Sequence, residues 1–142
     1  MNEPTKNKPT LIVMVGLPRS GKTTWAQLQQ WPIVSADAIR LALHGQRFAE
    51  RAESMVWVIA DVMVRALFLA GHDTVIMDGT HTTRKRRDRW KSDEWMTRFQ
   101  HIPTEAHVCK ARAMLEKDDA IQPVIDRMAA QFEKLEEGEL PW

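Results

Sequence analysis

The sequence predicts an α/β fold in three layers, with a short, mostly parallel sheet flanked by helices. Short runs of branched apolar residues alternate with longer segments of helical periodicity, which is the pattern of parallel strands joined by crossover helices. The chain has 142 residues, of which 44% are hydrophobic and 27% charged, a composition that suits one compact core. We therefore expect a flexible tail over residues 1–9 and a single domain over residues 10–142.

The composition also limits the class of protein. A net charge of +1 gives no global attraction to nucleic acid, so any basic surface must be local. The single cysteine, Cys109, excludes an internal disulfide and is compatible with a reducing compartment. The polar start MNEPTKNKPT is not that of a signal peptide, and no apolar run approaches the roughly 20 residues of a membrane span. We expect a soluble cytoplasmic protein without membrane contact, whose oligomeric state the sequence leaves unknown.

The first part of the chain predicts two strands and two helices. The apolar run 11–15 is typical of a buried parallel strand, and a helix is expected to begin within residues 21–24 and run to about Gln30. Residues 33–35 predict a second short strand. Asp37 is a plausible N-cap for a helix through residue 43.

A long helix is predicted over residues 50–70, where apolar residues recur at three- and four-residue steps. Gly71 is expected to end it. The predicted core face of this helix consists of Met55, Val58, Ile59, Val62, Met63, Ala66 and Leu69.

The second part of the chain predicts two more strands, at 74–77 and 97–102. The charged residues 83–94 are predicted to be helical, and two further helices are expected at about 104–116 and 123–137. The acidic segment that closes the sequence is expected to fray.

The segment from Gly16 to Thr23, here called the phosphate loop, meets the pattern G-x-x-x-x-G-K-[ST] between a predicted strand and a predicted helix. Its two glycines permit backbone angles that let successive N–H groups point at phosphate oxygens, and the helix adds its positive end. Lys22 is expected to reach the β- and γ-phosphates, and the Thr23 hydroxyl to hold Mg²⁺. We therefore predict ATP and Mg²⁺ as ligands, with ATP bound by Gly16, Leu17, Pro18, Arg19, Ser20, Gly21, Lys22, Thr23 and Thr24.

Asp37 and Arg40 follow the second predicted strand and lie three residues apart, so on a helix they share a face. A carboxylate there can accept the proton of an attacking hydroxyl, and an arginine beside it can bind a phosphate. A helix cap with a surface arginine explains the same spacing equally well.

Asp78 follows the third predicted strand, where a carboxylate commonly orients Mg²⁺. We predict that Asp78 and Thr23 bind the metal, although a capping aspartate before the turn at Gly79 is the alternative. His81 has no metal-ligand spacing around it and is interpreted as structural or exposed.

Residues 84–91 form one dense basic segment that includes a tryptophan. Basic side chains with an interleaved aromatic residue suit a phosphodiester backbone and a stacked base. The alternative is a solvated helix face, which most runs of charge are. A helix spreads these side chains over all faces, so only some of them can meet a ligand.

The segments GLPRSGKTTWA, SADAIR and VIMDGTHTTRKRRDRW together resemble the kinase domain of bacteriophage-type polynucleotide 5′-kinases. These enzymes group with zeta-toxin-like and small-molecule P-loop kinases. The resemblance extends from Leu11 to Phe132 and includes Trp25 and Ala26, which the general phosphate-loop pattern does not require. It implies a P-loop kinase fold and a kinase module alone, in the host cytoplasm if the chain is phage-encoded.

The resemblance implies a role for each matched position. Asp37 resembles the general base that activates a 5′-hydroxyl, and Arg40 resembles the arginine that grips the 3′-phosphate of the substrate. Lys22 is expected to offset charge in the transition state. The positions implied to contact the substrate are Arg40, Asp78, Thr80, Arg86 and Arg87.

Residues of about 112–122 resemble the lid of these kinases, where two arginines stand four residues apart and the second contacts the phosphates of ATP. Arg112 fits the first position, but residue 116 is a glutamate, followed by Lys117. Lys117 carries a point charge without the bidentate fork of arginine. The catalytic cation of the lid is therefore expected from Arg112 or Lys117.

These features predict transfer of the γ-phosphoryl group of ATP to a hydroxyl on nucleic acid, either DNA or RNA, with a 5′-end as the direct implication of the resemblance. An alternative acceptor is the hydroxymethyl group of a modified pyrimidine such as 5-hydroxymethyluracil in phage DNA, which requires an unstacked base. A kinase of a nucleoside, sugar or antibiotic and a nucleotide-gated binding module are further alternatives.

Overall fold

The computed structural model describes residues 7–47 and 50–139, and it shows the predicted α/β fold with helices on both sides of a parallel sheet. The sheet contains four strands, which are β1 (Thr10–Val15), β2 (Ile33–Ser35), β3 (Thr74–Asp78) and β4 (Met96–His101). Their order across the sheet is β2-β3-β1-β4, and each neighbouring pair is parallel. Residues 1–6 of the predicted tail and residues 140–142 lie outside the described residues, and the predicted single domain over 10–142 stays a prediction.

Six α-helices lie in the part of the chain that the structure describes: α1 (Lys22–Leu28), α2 (Ala36–His44), α3 (Glu53–Leu69), α4 (Arg84–Asp88), α5 (Ala106–Leu115) and α6 (Gln122–Gln131). Short 3₁₀ turns occupy Glu50–Ala52, Asp119–Ile121 and Glu137–Glu139. None of the helices in these described residues is both long and apolar enough to cross a membrane.

The two faces of β1 pack into different helical layers, because successive side chains of a strand point to opposite sides of the sheet. Leu11, Val13 and Val15 belong to the core shared with α3, whereas Ile12 and Met14 belong to the core shared with α1. All five side chains are buried. The sheet is therefore covered on both faces, as parallel sheets are.

The predicted core face of α3 is wrong. The residues that the structure buries on this helix are Val56, Trp57, Ala60 and Val64. Only Ile59 of the predicted face packs against the core, and the other six residues are exposed: Met55, Val58, Val62, Met63, Ala66 and Leu69. The helix is apolar on two sides, so its periodicity is compatible with either side as the core face. The side that packs against the sheet is the one that contains Trp57.

The predicted cap of α2 is also wrong. Ser35 rather than Asp37 caps this helix, because the Ser35 hydroxyl accepts a hydrogen bond from the Ala38 N–H at 3.1 Å. Asp37 lies in the first turn instead, where its side chain is available for other contacts.

Two helices end about six residues earlier than predicted. The helix predicted over 83–94 ends at Asp88, after which a turn brings the Trp90 side chain into the core. The helix predicted over 123–137 ends at Gln131, because the chain becomes extended and the Glu133 N–H donates to the Thr82 carbonyl at 2.8 Å. The acidic segment expected to fray is instead packed on the domain as far as residue 139, which is buried.

Candidate functional site

The phosphate loop connects β1 to α1 through two residues with left-handed backbone angles. Arg19 has a φ of 66° and Gly21 a φ of 103°, a conformation that glycine adopts without strain. A Cβ on Gly16 would lie 2.8 Å from the Ser20 Oγ and 2.9 Å from the Ile102 carbonyl oxygen, so close packing requires the first glycine. Alternation of right- and left-handed residues is the backbone geometry of anion-binding nests.

Lys22 begins α1 and is only 8% exposed. Its Nζ donates to the Leu17 carbonyl at 2.7 Å and lies 3.5 Å from the Ser20 Oγ, so the ammonium lies across the phosphate loop. Burial lowers the pKa of Lys22, and the charges of Asp78 and Asp37 oppose that shift. Because buried charges are normally paired, a buried ammonium at this loop is suited to an anionic ligand.

The predicted metal-binding side chains are in contact. The Thr23 hydroxyl donates to Asp78 Oδ2 at 2.8 Å, although the two residues lie 55 positions apart in the chain. Burial raises the pKa of Asp78, while the Thr23 hydrogen bond and the Lys22 charge oppose the shift. Two hard oxygen groups beside a phosphate loop suit Mg²⁺.

The loop after β3 is hydrogen-bonded to the first residue of the phosphate loop. The Gly16 N–H donates to the Thr80 carbonyl at 3.0 Å, so Thr80 contacts the phosphate loop through its backbone. Thr24, also predicted to bind ATP, lies on the exposed side of α1.

Asp37 and Arg40 form an ion pair on α2. The Arg40 Nη1 donates to Asp37 Oδ1 at 2.8 Å, and the Asp37 side chain is 74% exposed. Arg40 is held a second time by Glu53, which accepts from both its Nε, at 3.1 Å, and its Nη2. The guanidinium therefore lies between two carboxylates, and sequence reasoning identified only the first.

Trp57 on α3 lies among three guanidinium groups. We call these four residues the Trp57–arginine cluster. The Cζ atoms of Arg40, Arg86 and Arg89 lie 5.7, 5.8 and 6.0 Å from the centroid of the Trp57 ring, within the range of cation–π attraction. Trp57 is 8% exposed, whereas Arg86 and Arg89 are exposed. Arg86 and Arg89 belong to the basic segment that the sequence singled out, whereas sequence reasoning missed Trp57, for which the available signal was an aromatic residue four positions after Glu53.

Arg87 faces the interior, contrary to the predicted contact with substrate. Its side chain is fully buried, and its Nε donates to Glu139 at 3.0 Å. Its Nη1 donates to the carbonyl of His81 at 3.1 Å, and its Nη2 to those of Glu133 at 2.9 Å and Lys134 at 3.2 Å. A side chain so enclosed has no surface to offer a substrate, so Arg87 is a structural residue.

His81 is a buried neutral partner in the same region. Its Nδ1–H donates to the Met14 carbonyl at 2.7 Å, and its Nε2 accepts from the Trp90 indole N–H at 3.1 Å. Burial lowers the pKa of His81 to about 4. We refer to Arg87, His81, Trp90 and Glu139 together as the buried polar anchor, because it ties α4 and the C-terminal segment to the sheet.

The lid segment contacts the phosphate loop through Arg19. The Arg19 guanidinium binds Glu116 with Nη1 and Asp118 with Nη2, the latter at 2.7 Å, and Arg112 Nη1 donates to the Arg19 carbonyl at 3.1 Å. Lys117 is exposed and has a φ of 57° at the turn after α5. Of the two predicted lid cations, Arg112 is the one that the structure places against the phosphate loop.

The fold is similar to that of chains in an RNA repair complex. The chain aligns with a chain of the Pnkp1/Rnl/Hen1 RNA repair complex at a TM-score of 0.74 and 19% identity, over 89% of this chain and 45% of that chain. A second structure of the complex aligns at a TM-score of 0.67 and 23% identity, over 78% and 41%. The chain thus spans less than half the length of these relatives.

A sugar kinase and a gluconokinase of solved structure have the same fold. A sugar kinase from Janibacter sp. HTCC2649 aligns at a TM-score of 0.65 and 24% identity, over 95% of this chain and 83% of that chain. A gluconokinase from Sinorhizobium meliloti 1021 aligns at 0.58 and 19%, over 91% and 78%. No curated protein sequence matches the chain. The structural similarities establish a kinase-like P-loop fold.

A family model matches the part of the sequence that contains the whole site. Residues 11–135 match the model of the AAA_33 family, described as an AAA domain. The match contains the phosphate loop, the Trp57–arginine cluster, Asp78 and the lid segment. The chain therefore belongs to the AAA_33 family of P-loop domains.

Proposed function

We propose that this domain transfers the γ-phosphoryl group of ATP to a hydroxyl on a nucleic acid, with a 5′-hydroxyl end as the leading acceptor. The observation that carries the proposal is the ion pair between Asp37 and Arg40, a member of the Trp57–arginine cluster. Asp37 interacts electrostatically with Lys22 and receives a hydrogen bond from Arg40, which lies beside Trp57. A base for the hydroxyl thus adjoins both a donor site and an acceptor site.

ATP and Mg²⁺ fit the residues present. The left-handed turn at Gly21 and the buried ammonium of Lys22 suit the phosphates. Thr23 and Asp78 are the residues that would hold Mg²⁺. When bound, the ion neutralises charge on the β- and γ-phosphates.

Asp37 is proposed to accept the proton of the acceptor hydroxyl. The hydroxyl oxygen then bonds to the γ-phosphorus, the bond from that phosphorus to the bridging oxygen breaks, and ADP leaves with the electron pair. Arg40, fixed by Glu53, holds the carboxylate in place. Such a base contributes about a hundredfold to ten-thousandfold in rate.

The charge balance of the cluster supports a polyanionic acceptor. Arg40 is already paired with the carboxylates of Asp37 and Glu53, so the available positive charge comes from Arg86 and Arg89. Exposed guanidinium groups form bidentate contacts with phosphates and dominate affinity for a nucleic acid backbone. Trp57 is too buried to stack on a base, and it instead orients the guanidinium groups around it.

A small-molecule kinase is the second candidate, favoured by the share of the solved neighbours that this chain covers. The chain covers 83% of the sugar kinase and 78% of the gluconokinase, against 45% of the RNA repair chain. A small acceptor does not need the positive charge of Arg86 and Arg89, so neutralising both would leave its phosphorylation intact.

An acceptor screen with labelled ATP tests the proposal. The arms are 5′-hydroxyl DNA, 5′-hydroxyl RNA, DNA with 5-hydroxymethyluracil and blocked 5′-ends, free nucleosides, and gluconate. Label on the 5′-hydroxyl strands is expected. Label on blocked DNA alone identifies the modified base as acceptor, label on small molecules alone identifies the second candidate, and ATP binding without transfer identifies a nucleotide-gated module.

Asp37→Asn is expected to reduce transfer about a thousandfold and to leave ATP binding unchanged, measured by single-turnover transfer and by calorimetric titration. Asp88→Asn is the matched control, because Asp88 also pairs with a cation three residues on and is 60% exposed. Full activity in Asp37→Asn, or an equal loss in Asp88→Asn, contradicts the assignment of the base.

A further inference from the structure

Arg19 has an unusual backbone for its residue type. It lies inside the phosphate loop with a φ of 66°, in the left-handed region that costs a residue with a Cβ about 1–2 kcal/mol. Glycine would adopt this conformation freely. A strained backbone at a residue with a long charged side chain, inside a binding loop, points to a function of that side chain.

Both ends of Arg19 are held by the lid segment. Its carbonyl accepts from Arg112, and its guanidinium contacts Glu116 and Asp118. The Arg19 side chain is 27% exposed, so the contact is neither freely solvated nor buried in the core. The phosphate loop and the lid are thus joined by two guanidinium groups, those of Arg19 and Arg112.

The two carboxylates on Arg19 differ in how firmly they hold it. The Glu116 side chain is 61% exposed, whereas that of Asp118 is 10% exposed and is also bound by Arg47 at 2.7 Å. Hydrogen bonds from Arg19 and Arg47 lower the pKa of Asp118. An exposed pair is worth little in water, so Glu116 is the partner that a phosphate can displace.

We propose that the Arg19 side chain contacts the terminal phosphate of the bound nucleoside triphosphate. Nη1 exchanges Glu116 for a phosphate oxygen, and Nη2 stays on Asp118, which is the positioning residue. A guanidinium N–H donates to a phosphate oxygen as it does to a carboxylate oxygen, so Nη1 can make either contact. The charge that closes the site is then supplied by the phosphate loop itself, and Arg112 supports it through the Arg19 carbonyl.

This inference rests on the nucleotide-binding part of the proposed function and on no property of the acceptor. Its test is therefore the binding of ATP and ADP without acceptor, measured by calorimetric titration with Mg²⁺. Arg19→Gly removes the side chain and suits the backbone angle, so we expect it to melt at the same temperature or higher. It should bind ATP about tenfold more weakly, as expected for one charged hydrogen bond, and ADP within twofold of the unaltered chain.

Three further variants sharpen the test. Arg19→Lys keeps the charge without the fork and should recover part of the ATP affinity. Asp118→Asn should lower the ratio of ATP to ADP affinity by a smaller factor. Arg47→Ala is the matched control, because it removes the other cation on Asp118 from outside the phosphate loop, and it should change neither affinity by more than twofold.

Two results would overturn the inference. Equal losses of ATP and ADP affinity in Arg19→Gly would assign Arg19 to the loop backbone alone, and unchanged ATP affinity would show no phosphate contact. Either result leaves the acceptor screen unaffected. Failure of the unaltered chain to bind either nucleotide would instead overturn the proposed function together with this inference.

Discussion

Neighbouring arginines of α4 lie in two regions with opposite surroundings. Arg87 belongs to the buried polar anchor, where each of its three nitrogens is hydrogen-bonded to protein. Arg86 is exposed and belongs to the Trp57–arginine cluster, with Arg89 beside it. The contrast arises because successive residues of a helix point about 100° apart.

The difference shows that a run of basic residues has no single function. A buried guanidinium must donate its hydrogen bonds to protein acceptors, since an unpaired buried charge is strongly destabilising. An exposed guanidinium above an indole keeps its donors for a ligand. We therefore expect variants of the anchor to change stability and variants of the cluster to change substrate binding.

The largest expected effect is that of Arg87→Ala on stability. Removal of Arg87 leaves the buried Glu139 carboxylate with only the partly exposed Lys91, at 3.3 Å, and takes a donor from the carbonyls of His81, Glu133 and Lys134. Breaking a buried pair costs about 3–5 kcal/mol, and we expect a loss at the lower end of this range. A loss of that size in the free energy of unfolding is expected from urea denaturation followed by circular dichroism.

Arg86→Ala is the control for this prediction, because it removes the adjacent arginine from the exposed side of the same helix. It should change the free energy of unfolding by less than about 0.5 kcal/mol. Similar losses in the two variants would show that the anchor and the cluster are not energetically distinct.

The strands and the phosphate loop could be predicted because their signals are local. The runs at 11–15, 33–35 and 74–77 became strands within one residue, and that at 97–102 shifted by one. Thr23 and Asp78 were predicted to bind the same metal ion from the rule that ligands collect at the carboxyl ends of parallel strands, and their side chains are in hydrogen-bond contact. These predictions needed only period, length and motif.

The choice between two faces of a helix could not be predicted in the same way. On α3 both sides are apolar, and on α4 every residue but one is basic, so neither sequence shows which side meets the sheet. The ion pair between Arg19 and Asp118 joins residues 99 positions apart and has no sequence signal. Such features depend on tertiary packing, which local patterns do not contain.

The second prediction uses pH to probe the buried polar anchor. Since burial lowers the pKa of folded His81 to about 4 from the usual 6.5, the unfolded chain binds more protons between these values. Stability due to His81 is therefore intact above pH 6.5 and falls as the pH is lowered toward 4. Between pH 7 and pH 5 the loss should be about 2 kcal/mol.

His81→Gln separates this effect from other titrations, because glutamine can donate to Met14 and accept from Trp90 without a titrating group. Its stability should depend less on pH over the same range, by about 2 kcal/mol. Burial also lowers the pKa of His101, so His101 contributes the same pH dependence of stability in both proteins. Parallel pH profiles of the two proteins would show that His81 is not the group responsible.

The smallest expected effect belongs to the Trp57–arginine cluster, and it concerns binding alone. Arg89→Ala should raise the KM for a nucleic acid acceptor about tenfold and reduce the salt dependence of binding by about one phosphate contact. It should leave kcat and melting temperature unchanged, since Arg89 is exposed. Arg65→Ala is the matched control, because Arg65 also lies over a tryptophan, 4.9 Å from the Trp95 centroid, on α3. An equal rise in KM for a free nucleoside, or an equal rise in Arg65→Ala, would show that Arg89 does not contact the phosphate backbone. Either result would favour a small-molecule acceptor.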